Sequence, residues 1–401
     1  MKNRIVLLLS LFIFELPCYA QTAIEPISSK SYLIVGKNIR LPKDSLESKK
    51  LITDLDDFLI AVQQPDKDNP WIFPSENTET QLLTDEMQGM DKSDSIVFQP
   101  YLTNIEALSD KDNYLVQISY MGISNEAPLL QAIFELVAHK TDNGFLFSSP
   151  LVRNTKEWKT KTVEYLTFHY QDISAENVIN QWSKAIIEYD KKLNVNQSMV
   201  VYWCDDCNDM TCMQRLAGII YKADYNGFDW PMMDFTVKNR VIAFYTQRQS
   251  RQEVVDTHDL FHWRANIAIP QEQKNFYMVC GCAYVYGGSW GISWDGIQKM
   301  FKQRMPYDKE TDWLKLYFDR YNFGESQAKH LLITQFINAL IIQKVEKEQG
   351  FPAVMELLSS GDIYKSKENF FKILEKVTGI NEKNFNKKVF QLIHEAMEKI
   401  E

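Results

Sequence analysis

The segment 331–347 constrains this chain most. Its apolar residues, from Leu331 and Leu332 through Ile341, Ile342 and Val345, cover most of the surface of the helix that its spacing predicts. A helix that is apolar nearly all round is stable only when other elements surround it, so residues 331–347 must lie at the centre of a packed lobe. Gly350 and Gly361 read as helix stops, and amphipathic patterns over 367–377 and 383–399 supply helices to pack around it.

The length fits this requirement. At roughly 150 residues per domain, 401 residues make two to three domains. With 45% hydrophobic and 24% charged residues, the composition is that of folded protein rather than disordered or fibrous material. A formal charge of −9 and the absence of a basic stretch exclude a general affinity for nucleic acid or for an anionic membrane surface, because counterion release needs clustered Lys and Arg.

The N-terminus reads as a secretory signal over residues 1–20. Lys2 and Arg4 precede an apolar run over 5–14, and Cys18-Tyr19-Ala20 offers a small-residue exit. The run is too short to cross a bilayer, which takes about 20 apolar residues, and no later segment reaches that length without charge. The expectation is an exported protein, periplasmic or extracellular and not membrane-spanning. Cys18 opens the alternative of a lipid anchor, which Glu15-Leu16-Pro17, lacking small residues, does not favour.

Residues 21–159 read as an α+β domain with a helix laid on an antiparallel sheet. Leu51, Leu55, Phe58, Leu59 and Val62 recur at helical spacing. Strand patterns follow over 95–101, 114–120 and 131–139, and Thr141-Asp142-Asn143-Gly144 predicts a hairpin turn into 145–147. Nothing there points to chemistry, and His139, at the end of an apolar strand, reads as a hydrogen-bonded structural histidine. Residues 160–401 read as a second α+β domain, a small sheet followed by a mainly helical lobe. Its first elements are a strand over 163–170, a helix with Ser174 as N-cap and Ile179, Trp182, Ile186 and Tyr189 on one face, and a strand over 199–204. A turn at Tyr225-Asn226-Gly227 and a strand over 240–245 complete the sheet, and everything beyond Ser250 reads as helical.

One constellation can carry chemistry. In Asp256-Thr257-His258-Asp259-Leu260-Phe261-His262, two histidines four residues apart lie on one helix face and can share a metal. Six histidines in this chain would produce such a pair by chance about one time in ten, so the pair alone is suggestive, and a packed or capping pair is the competing reading. Asp259 stands where the zinc peptidase motif H-E-x-x-H has the Glu that polarises water, one methylene shorter. After the predicted signal, Cys204, Cys207, Cys212, Cys280 and Cys282 remain. In an oxidising setting the ordinary reading is two disulfides and one spare thiol; a cysteine metal cluster is the alternative, although the spacing is not that of paired C-x2-C knuckles.

The order of these features resembles the gluzincin-type zinc peptidases of the peptidase MA-like family over residues 160–401. The resemblance is carried by His258 and His262, by Cys280-Gly281-Cys282-Ala283-Tyr284-Val285-Tyr286-Gly287-Gly288, by the long apolar helix, and by Gly350-Phe351 and Leu357-Leu358-Ser359-Ser360-Gly361-Asp362 before the closing helices. Cys280 stands where that family places its third ligand, a Glu on the helix after the histidines. The resemblance implies a zinc site of His258, His262 and Cys280, with Asp259 as the catalytic base, a peptide or protein as substrate, and zinc-dependent hydrolysis. The missing Glu implies the alternative, a catalytically inactive peptidase fold that binds a peptide, glycan or envelope partner. A purely structural exported protein is the third reading.

Other features rank below these. Asp256 can orient a histidine but equally suits a helix N-terminus. Tyr284 and Tyr286 can donate to an oxyanion or simply pack. Gly287-Gly288-Ser289-Trp290-Gly291 follows no strand in a nucleotide-binding pattern and reads as a tight loop beside the cleft. The nine tryptophans form no cluster that would suggest a sugar platform.

Overall fold

The computed structural model describes residues 31–64, 68–93, 96–109, 112–171, 175–204, 214–223, 232–237, 240–246, 257–325 and 330–400. The signal-like segment, Ser174, Cys207, Cys212, the turn at Tyr225-Asn226-Gly227 and Asp256 lie outside them. The chain is α+β, a sheet-rich N-terminal part followed by a small sheet and a helical lobe.

In the N-terminal part, helix α1 (Ser45–Val62) begins at Asp44, whose carboxylate accepts from the backbone nitrogens of Leu46 and Glu47. Its apolar stripe of Leu51, Leu55, Phe58, Leu59 and Val62 is buried, as the periodicity requires. The stripe packs on a sheet built from β1 (Ile34–Val35), β4 (Gln99–Ala107), β5 (Tyr114–Ser124), β6 (Ala127–Thr141), β7 (Gly144–Ser148) and β11 (Ile219–Lys222). Phe58 meets Phe147 of β7 at 5.1 Å. The predicted turn joins β6 to β7, with Thr141 opposite Gly144. A second helix, α2 (Asn77–Met87), and a two-stranded ribbon of β2 (Lys92–Ser93) and β3 (Ile96–Val97) are additions that the sequence pattern did not announce.

Two pairings go beyond the sequence reading. β1 joins β4 in parallel, so the sheet is not wholly antiparallel. β11, from the C-terminal half of the chain, pairs antiparallel with β6 and places Ile219 in the N-terminal core.

The second sheet has the order β12 (Met232–Val237), β13 (Arg240–Thr246), β10 (Ser198–Cys204), β9 (Leu166–Tyr170) and β8 (Lys159–Val163). The strand expected over 163–170 is in fact a hairpin, β8 and β9, turned at Glu164, whose φ is +53°. Helix α4 (Ala175–Leu193) crosses from β9 to the parallel β10. Its Ile179, Trp182, Ile186 and Tyr189 are buried, with Trp182 edge-on to Phe168 and Trp203.

A one-turn helix, α3 (Leu151–Asn154), precedes the second sheet in the chain and packs Leu151 in a small cluster with Leu82, Val200 and Tyr202. The helical lobe comprises α5 (His258–Ala268), α6 (Phe276–Gly287), α7 (Trp294–Arg304), α8 (Trp313–Phe318), α9 (Ile333–Gln349), α10 (Phe351–Leu358), α11 (Lys367–Thr378) and α12 (Phe385–Met397). Every residue of α9 from Ile333 to Ile342 is buried, which meets the demand made by its composition. Two of its polar side chains accept hydrogen bonds inside, Asn338 Oδ1 from Tyr317 at 2.8 Å and Gln335 Oε1 from Tyr284 at 2.6 Å, while Asn338 Nδ2 is buried without a partner among the described residues. One large core runs from Leu166 to Met397, and a separate core fills the N-terminal part. Among the described residues no helix is long and apolar enough to cross a membrane.

Candidate metal centre

The histidine pair opens α5. His258 is the first helical residue, and Thr257 before it makes no side-chain cap. The start of the helix is held from outside instead. Gly287, at the end of α6, abuts the backbone of His258 so closely that a Cβ at position 287 would lie 2.5 Å from its nitrogen. The next residue, Gly288, has φ +72°, and its carbonyl receives His258 Nδ1 at 2.6 Å. The Gly-Gly pair is therefore a steric requirement for bringing α6 and its following loop onto the first histidine.

That contact fixes the chemistry of the ring. A carbonyl only accepts, so His258 carries its proton on Nδ1 and turns the lone pair of Nε2 outward. His262, one turn on, directs its own Nε2 to within 3.2 Å of that lone pair, with ring centroids 4.9 Å apart. Two ring nitrogens that close have something between them: a proton donated by one to the other, or a cation that both ligate. With zinc to nitrogen bonds of about 2.0–2.1 Å, a 3.2 Å separation subtends about 100° at the metal, close to the tetrahedral value. The spacing of the two nitrogens fits two ligands on one zinc ion, and the Gly288 carbonyl is the outer partner that a ligating histidine ordinarily has. Burial, the neighbouring His258 and Lys274 push His262 down to about 3, which keeps its imidazole neutral, as ligation requires.

Both histidines lie in a cleft of about 940 Å³. Asp259 lines it from an exposed position on α5. Cys280, on α6, also lines it and is 2% exposed. Burial pushes its thiol up to about 12, against a smaller downward pull from the Gln335 carboxamide and Arg320. Among the described residues no third His, Cys, Asp or Glu closes on the histidine pair to form a three-residue metal group. The fold brings Cys280 into the same cleft as the pair, as a buried thiol.

Cys280 and Cys282 are both free and buried. Two disulfides among Cys204, Cys207, Cys212, Cys280 and Cys282 therefore cannot form, which corrects the ordinary reading: neighbours on one buried helix, Cys280 and Cys282 have no thiol to bridge to. Tyr284 and Tyr286 pack, Tyr284 on Gln335 and Tyr286 on Glu346 Oε2 at 2.5 Å. The loop after Gly288 does border the cleft. Trp290, 45% exposed, is pinned by its indole nitrogen to His330 O at 3.0 Å. His139 is structural, hydrogen-bonded to Ser148 at 2.7 Å and stacked on Phe73.

Sequence reasoning missed the support behind the pair. Arg264 of α5 forms a bidentate ion pair with Asp190 of α4, at 2.5 and 2.7 Å, and Tyr165 also donates to Asp190 at 2.7 Å. An Arg amid Leu260, Phe261, Trp263 and Ala265 was the available signal. No protein-family model matches the chain, and no curated protein matches it.

Proposed function

We propose that this cleft is a zinc peptidase centre, in an exported protein that hydrolyses peptide bonds. The observation that carries the reading is the convergence of the two Nε2 atoms at 3.2 Å, with His258 held from behind by Gly288. His258 and His262 would hold the zinc, with Cys280 or water completing the set. Bound there, zinc would polarise a carbonyl and lower the pKa of water. The protein's own parts divide the rest of the work. Gly288 keeps the His258 lone pair aimed into the cleft, Asp259 receives the proton of the attacking water on its carboxylate, and the cleft walls hold the peptide in reach of both. The resemblance of residues 160–401 to peptidase MA-like proteins supports the same reading, and the charged-then-apolar residues 1–20 support export to the periplasm or medium.

A second reading, an inactive peptidase fold that binds a peptide, glycan or envelope partner, is favoured by the buried, protonated Cys280 where a carboxylate would be expected. One experiment separates the two. The zinc-loaded chain is incubated with unstructured protein substrate, with and without chelator, beside Asp259→Asn. Chelator-sensitive cleavage lost in the variant supports hydrolysis; zinc binding with no cleavage supports the inactive scaffold.

A further inference from the structure

The Asp190–Arg264 pair is the most buried charge pair of the described residues. The Arg264 side chain is fully buried and that of Asp190 is 2% exposed. Taking two charges out of water costs several kcal/mol per ion, and their attraction recovers this only with excellent geometry, so a buried pair is weak ground for stability as such. The Arg264 Nη1 nitrogen is moreover buried with no hydrogen-bond partner, a further cost. Apolar residues of the same size would fill the site more cheaply, so the pair calls for a reason other than stability.

Its position supplies one. Arg264 follows His262 by two residues, which on a helix is about 200° of rotation, so it anchors the face of α5 opposite the cleft. The fork geometry, two parallel bonds to one carboxylate, fixes rotation as well as distance. The rest of α5 is held by non-directional packing of Leu260, Phe261, Trp263 and Ala265, and the directional contact at Gly288 acts on its first residue. A roll of roughly 10° would carry both imidazoles together by about 1 Å, leaving their mutual spacing intact but drawing His258 Nδ1 off the Gly288 carbonyl, the outer partner of a ligating histidine, whose loss ordinarily weakens metal binding about ten-fold or more. Tyr165, donating to the same carboxylate, ties the anchor to the turn between β8 and β9.

We propose that Asp190 and Arg264 are positioning residues that set the rotation of α5, and with it the seating of His258 on the Gly288 carbonyl that orients the histidine pair. This inference rests on the metal reading of the cleft.

The test is Co(II) titration of the full chain, read by affinity and by the ligand-field absorption of the bound ion, with circular dichroism to report folding. The double variant Asp190→Leu, Arg264→Met replaces the pair with apolar groups of similar volume. The expected result is a folded protein that binds Co(II) at least ten-fold more weakly with a shifted absorption spectrum. A folded double variant with unchanged affinity and spectrum overturns the proposal while the metal reading stands. If the double variant does not fold, Arg264→Lys decides, because it keeps the charge and removes the fork: weakening of three-fold or more supports the proposal, and wild-type behaviour overturns it. Failure of the wild-type chain to bind Co(II) overturns the metal reading and this inference together.

Discussion

Gly287 and His258 meet backbone to backbone, with room at position 287 for a hydrogen and for nothing larger: a Cβ there would stand 2.5 Å from the His258 nitrogen. The first histidine is placed by this crossing of α6 over the start of α5, and by the Gly288 carbonyl that follows it.

Gly287→Ala therefore forces the two helices apart. It costs about 1–3 kcal/mol in urea denaturation, the usual price of overpacking, and weakens zinc binding by moving His258. Gly379→Ala is the control. That residue also has positive φ, +70°, but nothing within 4 Å of a new Cβ. It loses about 1 kcal/mol from left-handed strain and leaves zinc binding unchanged.

Asp259→Asn keeps the size of the side chain and removes its basicity. Zinc content stays at the wild-type level and peptide hydrolysis falls by about 10²–10⁴-fold, the range for loss of a general base. Asp259→Glu retains activity. Equal rates in all three proteins would remove Asp259 from the chemistry.

Cys280 and Cys282 are buried thiols whose ionisation burial holds down, Cys280 rising to about 12. In the metal-free folded protein both resist iodoacetamide at pH 8 and react once the chain is unfolded in denaturant. Peptide mapping of the labelled chain checks this, and a disulfide at either position would contradict it.

Phe147 is buried at the centre of the N-terminal core against Phe58. Phe147→Ala costs about 3–5 kcal/mol by denaturation. Because it touches the separate N-terminal core, the folded variant binds zinc as the wild type does.

Much of this was legible in the sequence where one face of an element is buried by local periodicity. The stripe from Leu51 to Val62, the Ile179 to Tyr189 face and the all-round apolar 331–347 each produced the helix their spacing required. Features that depend on distant partners were not legible. The segment Asn77–Met87 carries few apolar residues and forms a helix because Leu82, Leu83 and Met87 find cores made elsewhere. Ile219–Lys222 is too short to announce itself and is a strand only because β6 offers an edge. At the site, the spacing of His258 and His262 put both rings on one face, and the Gly-Gly motif marked the loop. The Asp190–Arg264 anchor, 74 residues apart in sequence, needed the fold to be seen.

The central claim is that two converging imidazoles make a zinc site, and elemental analysis of the purified chain after zinc loading and dialysis tests it most directly. The account predicts about one zinc per chain, lost in a folded His258→Ala, His262→Ala variant. A folded wild-type protein that retains no zinc, or zinc that survives the double substitution, would contradict it.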